Sequence, residues 1–431
     1  MTSDRWAFMV SRLFISPFVR GLTTLSVGTA LARVIPIISS PLLTRLYSPV
    51  EFGLAAVFLA LISAVTPAVC GKYEVALVLP KDGDDSARVL GIAIRVSVGL
   101  TIFIAVLFAL SGGSLARLLR AEAVGLWLYV LPMAVLTTGI GTALSYFAIQ
   151  REDFGNVARG QMINSATAAA LGITLGYLGA GFGGLLMGWL AGSAVTATYF
   201  LFVYRSALRS EFLGWTEAHR NLAKRYADFP LYNAPSSLIN GITAQLPTFF
   251  LNYFFPGSVV GHFSVLTRVV ETPLSVLSTP FSQVNLKKVA ELANRGIDAR
   301  PYILKASLAL AAVVLLPAIL LVSVAPDLFE FVFGSEWRQA GVYLQILMPA
   351  FAIRFIASTL STTIEATEHN RLAAVWRVVA LLTTVSVYLA ISPRGDAIGL
   401  FRAVVIMDAS LYSLYYVFIW WAASKTINRV T

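Results

Sequence analysis

The chain runs through about a dozen apolar stretches, most of them about 20 residues or longer, separated by short polar connections. That alternation leaves few options. A bilayer core offers no water to satisfy backbone N–H and C=O groups, so stretches of this kind fold as membrane-spanning helices. Composition agrees: 57% of the 431 residues are hydrophobic and 13% are charged, against about 25% charged in soluble proteins. The pattern predicts an all-α integral membrane protein. Three arginines, Arg33, Arg268 and Arg354, stand near the middle of such stretches. A cation at that depth costs a few kcal/mol, so it turns toward protein or water. A cationic interior points to an anionic ligand.

The remaining composition excludes other classes. Cys70 is the single cysteine, which rules out an internal disulfide framework or a thiolate metal cluster. His219, His262 and His369 are far apart, with no ligand-like spacing, so no metal or resident cofactor is expected. The net charge of +10 lies in short segments between the apolar blocks, as expected of loops facing anionic lipid headgroups, and no nucleic-acid motif accompanies it. No small-residue cleavage site follows a short apolar core at the N-terminus, so 1–21 reads as a tail and not as a removed leader.

Twelve spans are expected near 22–46, 50–70, 86–110, 124–149, 156–178, 183–204, 228–254, 259–284, 303–324, 340–364, 371–391 and 398–422. Twelve places both termini on one side. Counted that way, the tails and even-numbered loops hold roughly 22 Lys and Arg and the odd-numbered loops about 6, so both ends are expected in the cytoplasm. The longest connection, 205–227, mixes Phe212, Leu213 and Trp215 with basic residues and lies along the membrane surface or acts as a solvated linker. It divides the chain into an N-terminal lobe, 1–204, and a C-terminal lobe, 228–431. With six spans each, lobes that are structural repeats would be parallel ones, an arrangement that suits alternating access between two lobes.

The local sequence carries a resemblance. The stretches TRLYSPVEFG (Thr44–Gly53) and YEVALVLPKDGDDSA (Tyr73–Ala87) look like the first two helical hairpins of polysaccharide-biosynthesis flippases. YADFPLYNAPSSLIN (Tyr226–Asn240), QLPTFFL (Gln245–Leu251) and VGHFSVLTRVVETPLSVLSTPFSQV (Val260–Val284) resemble the same family's seventh and eighth spans. The resemblance implies an O-antigen-type flippase of the multidrug/oligosaccharidyl-lipid/polysaccharide exporter superfamily, with two six-helix lobes around a central cavity and no enzymatic activity. Its cargo would be an undecaprenyl-pyrophosphate-linked glycan, moved across the bacterial inner membrane for O-antigen, capsule or exopolysaccharide synthesis. Polysaccharide polymerase and export machinery would be its partners. A lipid II flippase or a multidrug antiporter of the same superfamily are the alternatives. A membrane glycosyltransferase or polymerase fits less well, since the short outer loops hold no catalytic cluster.

For such cargo, Arg33, Arg268 and Arg354 would line a cationic cavity, with Arg45 at its outer mouth. A planar guanidinium donates paired hydrogen bonds to phosphate oxygens and stays charged at every working pH. The competing reading is a salt bridge between helices, and Glu271, three residues after Arg268, is the expected partner for that arginine. Asn233, Asn240, Gln245 and Gln283 are candidates for sugar contacts, or for helix-to-helix hydrogen bonds. Glu271 and Asp408 are the candidates for coupling to a proton or Na⁺, with membrane potential a further possible drive. Pro36, Pro41, Pro235 and Pro273 are candidate gating kinks, because each removes a backbone hydrogen bond.

Overall fold

The computed structural model describes residues 17–80, 83–111, 113–114, 117, 122–211 and 214–424. The two chain ends lie outside the described residues, as do Phe212 and Leu213 of the 205–227 connection. Among the described residues there is no strand. Twelve long helices are numbered here in chain order. They are α1 (Pro17–Leu46), α2 (Pro49–Val65), α3 (Gly83–Ser111), α4 (Leu131–Gln150), α5 (Phe154–Tyr177) and α6 (Phe182–Val203). After them come α7 (Ala234–Phe254), α8 (Gly257–Asn294), α9 (Arg300–Phe333), α10 (Arg338–Leu360), α11 (Asn370–Ile391) and α12 (Ala397–Ala423). Nine described helical stretches are long and apolar enough to cross a membrane by length and composition. The other three, α5, α7 and α8, carry the polar residues that lower their hydropathy, among them Arg159, Asn164, Asn240, Gln245, Arg268 and Glu271.

Two helices run well past the lengths expected from hydropathy. α8 continues through Asn294 and α9 runs from Arg300 to Phe333. Nothing between 284 and 294 stops α8, and it ends only at Gly296, whose φ is +70°. Pro317 and Pro326 lie inside α9 without ending it, and Gly334 at φ +108° does.

The residues form two compact units. The first comprises 1–47 and 54–249, the second 48–53 and 250–431, so the first runs past the 205–227 connection and nearly to the end of α7. In the first unit α5 is the central packing helix, flanked by α1 and α6, while α4 bridges α3 and α6. The α5–α6 pairing rests on small residues four apart: Gly184, Gly188 and Gly192 on α6, and Asn164, Ala168 and Gly172 on α5. A Cβ added at Gly188 would lie 2.7 Å from the Ala168 carbonyl oxygen, and one at Gly192 would lie 2.6 Å from that of Asn164. Backbones approach that closely only without side chains. Across the same layer, the Tyr47 hydroxyl donates to the Gly172 carbonyl at 2.6 Å.

In the second unit α10 is the hub, with α8, α9 and α12 packed around it. Trp337, fully buried, sits edge-on to Phe52 and His262, and the His262 ring lies 2.9 Å from the Glu336 carbonyl through Nε2.

The two units share local geometry in sequence order. Glu152, between α4 and α5, and Glu368, between α10 and α11, both adopt a left-handed conformation rare for a side-chain-bearing residue (φ +57° and +62°). Gly179, between α5 and α6, and Gly395, between α11 and α12, do likewise (φ +70° and +72°). Each pair is 216 positions apart (152 to 368, 179 to 395). The hydrogen bonds repeat too: Asp153 N–H to Ala148 C=O in one turn, His369 N–H to Ile364 C=O in the other. Turns in register over three successive helices identify an internal duplication running in the same direction.

The glycine ladder gives a direct test. Gly188→Ile should destabilise the purified protein by about 3 kcal/mol or prevent its accumulation, because backbone must move to admit the side chain. Gly141→Ala, with nothing within 4 Å of the added Cβ, should be neutral or slightly stabilising. Thermal unfolding followed by size-exclusion fluorescence distinguishes them.

Candidate functional site

Arg354 and Arg268, the two central arginines of the second unit, differ in their surroundings. Arg354 on α10 is matched. Its Nη2 lies 2.5 Å from Asp408 Oδ2 on α12 and its Nη1 3.9 Å from Glu271 Oε1 on α8. Asp408 is buried, with 4% of its side chain exposed, whereas Glu271 is largely open at 55%. The rings of Phe351 and Tyr412 lie 5.9 and 5.8 Å from the guanidinium carbon. Three helices, α8, α10 and α12, thus meet at one cation. This corrects the expected pairing of Glu271 with Arg268. Three residues along a helix leave an offset of about 60°, and a cation on the facing helix already takes the carboxylate. It also shows Arg354 in the helix-to-helix salt bridge that was its competing reading.

Arg268 is unmatched. It is half-buried on α8, and among the described residues it forms neither an ion pair nor a hydrogen bond. Its neighbour Thr267 turns its hydroxyl back onto the Phe263 carbonyl at 2.8 Å. Arg33 and Arg45, in the first unit, are both exposed on α1. Asn233, Asn240 and Gln283 are also exposed and Gln245 is half-buried; none of the four hydrogen-bonds another described residue. Their amides are therefore open to a ligand. The helix-to-helix bonds expected of some of them are formed instead by Ser282 and Asn285, which reach Thr359, Thr362 and Thr363 from one turn of α8.

The prolines sit where helical hydrogen bonding is broken. Pro36 and Pro41 lie inside α1, and the Ser40 and Thr44 hydroxyls donate to their carbonyls at 2.6 and 3.2 Å. Pro235 follows a π-turn at Phe229–Asn233 that opens α7. Pro273 lies inside α8, two residues after Glu271. Arg95 on α3 reaches the connection that holds Trp215. Its guanidinium lies 5.4 Å from the Trp215 ring and 3.4 Å from the Gly214 carbonyl, which ties α3 to the 205–227 connection.

One charged residue escaped sequence reasoning. Glu74, in the YEVALVLP stretch, is 3% exposed in a one-turn helix (Tyr73–Ala76) between α2 and α3. Burial raises its carboxyl above the ordinary carboxylate range, and Lys72 at 3.7 Å only partly offsets that. The available signal was a single glutamate inside an otherwise apolar octet. Among the described residues no group of three or more His, Cys, Asp or Glu could hold a metal ion.

The helical bundle has counterparts among known proteins. The chain is similar in fold to the lipid II flippase MurJ in an inward closed conformation, at 16% identity over 91% of this chain and 86% of that one, with a TM-score of 0.65. It is similar also to an inward-facing multidrug resistance MATE family transporter of the MOP superfamily, at 16% identity over 95% and 96% of the two chains, with a TM-score of 0.61. In sequence it is 24% identical, over 354 residues, to the succinoglycan biosynthesis transport protein ExoT of Rhizobium meliloti (strain 1021), covering 80% of this chain and 69% of that one. The sequence profile of the polysaccharide biosynthesis protein family matches residues 42–341. The chain belongs to that family; it is a multi-span membrane transport protein and not an enzyme.

The Arg354 cluster carries a stability prediction. Asp408→Ala should cost about 2 kcal/mol, because it removes the buried partner of Arg354 and leaves the looser contact with Glu271, and Arg354→Met with Asp408→Leu should recover most of the loss. A thermal-unfolding double-mutant cycle measures both.

Proposed function

We propose that the protein is a flippase that carries undecaprenyl-pyrophosphate-linked oligosaccharide repeat units from the cytoplasmic to the periplasmic leaflet of the bacterial inner membrane. The observation that carries this reading is Arg268, a guanidinium in a spanning helix with no acidic partner among the described residues. A pyrophosphate headgroup holds concentrated negative charge and does not cross about 30 Å of hydrocarbon unaided. An unpaired arginine offers the matching charge and a planar donor pair. A cationic drug would be repelled by it. Family membership and the resemblance to a succinoglycan biosynthesis transport protein support the same substrate class.

In this reading Arg268 and Arg33 take the phosphates in passage, Arg45 receives them at the outer side, and Arg354 belongs to the salt bridge that organises its unit. Asn233, Asn240, Gln245 and Gln283 contact sugar hydroxyls. The polyprenyl tail stays in lipid. The lobes, 1–204 and 228–431, joined by the cytoplasmic 205–227 connection, alternate their opening, with Pro36, Pro41, Pro235 and Pro273 as the points that bend. Both termini face the cytoplasm, where the basic residues concentrate. The product passes to polymerase and export machinery.

Complementation of a bacterium lacking its own O-antigen-type flippase tests this. Wild type should restore surface polysaccharide, Arg268→Ala should lower it tenfold or more at matched membrane levels, and Arg268→Lys should retain part. Wild-type export from Arg268→Ala would remove the cationic-passage argument.

A further inference from the structure

The proposed transport moves a bulky anion and needs a driving force, and neither acidic residue first considered for coupling is well placed to supply one. Asp408 is held by Arg354 at 2.5 Å, and the open Glu271 leans on the same guanidinium. The first unit holds a different carboxylate. Among the described residues Glu74 Oε2 is fully buried with no hydrogen-bond partner, and the Lys72 ammonium lies 3.7 Å from Oε1. The turn that brings them together is built for the purpose. Gly71 and Lys72 both adopt left-handed backbone, φ +60° and +64°, the second unusual for a residue with a side chain. Lys72 thereby caps the Tyr73–Ala76 turn, and Tyr73 fastens it by donating its hydroxyl to the Ala223 carbonyl at 3.2 Å.

The surroundings are defined. On the Glu74 side of the turn lie the Lys72 ammonium and the buried Cys70 thiol, whose Sγ lies 3.3 Å from the Gly139 carbonyl on α4. From α4 comes Tyr146, which feels the Glu74 charge. The packed helix α3 carries Asp84, Asp85, Arg88 and Arg95, and the 229–233 π-turn carries Tyr232. Of these charges, the one that acts on Glu74 is Lys72.

We propose that Glu74 is the proton-coupling site of this transporter, taking up and releasing one proton while Lys72 loses and regains its counter-charge. An inorganic cation is disfavoured on the same geometry. It would meet an ammonium at close range and find one carboxylate without further oxygen ligands, whereas a proton needs only the unpartnered oxygen. Protonation neutralises Glu74 and frees Lys72, whose side chain is 21% exposed, from its ion pair. On the orientation proposed above, the turn lies at the cytoplasmic ends of α2 and α3, where an incoming pyrophosphate would be the next anion available to that ammonium. Because burial favours the protonated carboxyl, the folded state binds the proton more tightly than the unfolded chain. Stability conferred by that proton is therefore full below the ordinary carboxylate value of 4.5 and is lost as pH rises through the raised one.

That the proton drives glycan transport rests on the flippase reading; that Glu74 titrates does not, and two measurements separate them. The first is infrared difference spectroscopy of the full-length protein in lipid nanodiscs across a pH series. Wild type should show a protonated-carboxyl band with a midpoint above that of an exposed glutamate, Glu74→Gln should lack it, and Lys72→Met should move its midpoint to higher pH. A wild-type spectrum unchanged by Glu74→Gln, or a midpoint unmoved by Lys72→Met, would overturn the site. The second is complementation at matched membrane levels. Glu74→Gln should lose export tenfold or more, while Glu74→Asp keeps part with a displaced pH optimum. Export by Glu74→Gln equal to wild type would overturn the coupling role. A band that titrates as expected in a protein whose wild type restores no polysaccharide would uphold the proton site and sink the flippase reading.

Discussion

Charge placed in a low-dielectric slab has to be matched, and the second unit is organised around one such match. Arg354 draws Asp408 from α12 and Glu271 from α8 onto α10, the helix on which the rest of that unit packs. Apolar contacts alone give spanning helices little preference for one neighbour over another, since lipid tails are as apolar as leucine. A buried ion pair supplies that preference. It fixes which faces meet, and it leaves Arg268, three residues before Glu271 on α8, without a carboxylate to hold it among the described residues. Matched charge organises the unit, and the unmatched Arg268 is the charge that the proposed cargo would meet.

The first unit solves the same packing problem without ions. The positions 216 before Arg354 and Asp408 are Thr138 and Gly192. Where one unit places a salt bridge, its duplicate places a glycine against the Asn164 carbonyl. The turns Glu152/Glu368 and Gly179/Gly395 stay in register while the interior chemistry has diverged. Duplication kept the backbone and freed the side chains, so that one unit carries the ion cluster and the other the buried Glu74–Lys72 turn.

Much of this was legible in the sequence, for a physical reason. Spans follow from apolar length, and twelve long helices lie where apolar blocks were read. The glycine-rich GAGFGG segment at Gly179–Gly184 is a composition that suits a tight turn with close helix packing, and Gly179 and Gly181 have positive φ while Gly184 abuts the Tyr47 hydroxyl. Partner choice was not legible. Glu271 is close to Arg268 in sequence, yet it pairs with a residue of another helix, which only tertiary packing determines. Glu74 went unremarked because a lone glutamate near a predicted loop looks solvated; its burial comes from α3, α4 and the 229–233 π-turn packed against its turn. The ends of α8 and α9 were short in the reading because hydropathy fades before helical hydrogen bonding does.

The central claim is that the unmatched Arg268 faces a water-filled path and the matched Asp408 does not. The chain has one cysteine, Cys70, so a Cys70→Ala background permits single-cysteine scanning at both positions. Membrane-impermeant charged thiol reagents applied to inverted and right-side-out vesicles should modify Arg268→Cys rapidly and leave Asp408→Cys unreacted. An unreactive Arg268→Cys, with Asp408→Cys modified instead, would contradict the account, because the unmatched arginine would then face lipid or protein and the salt bridge would line the path.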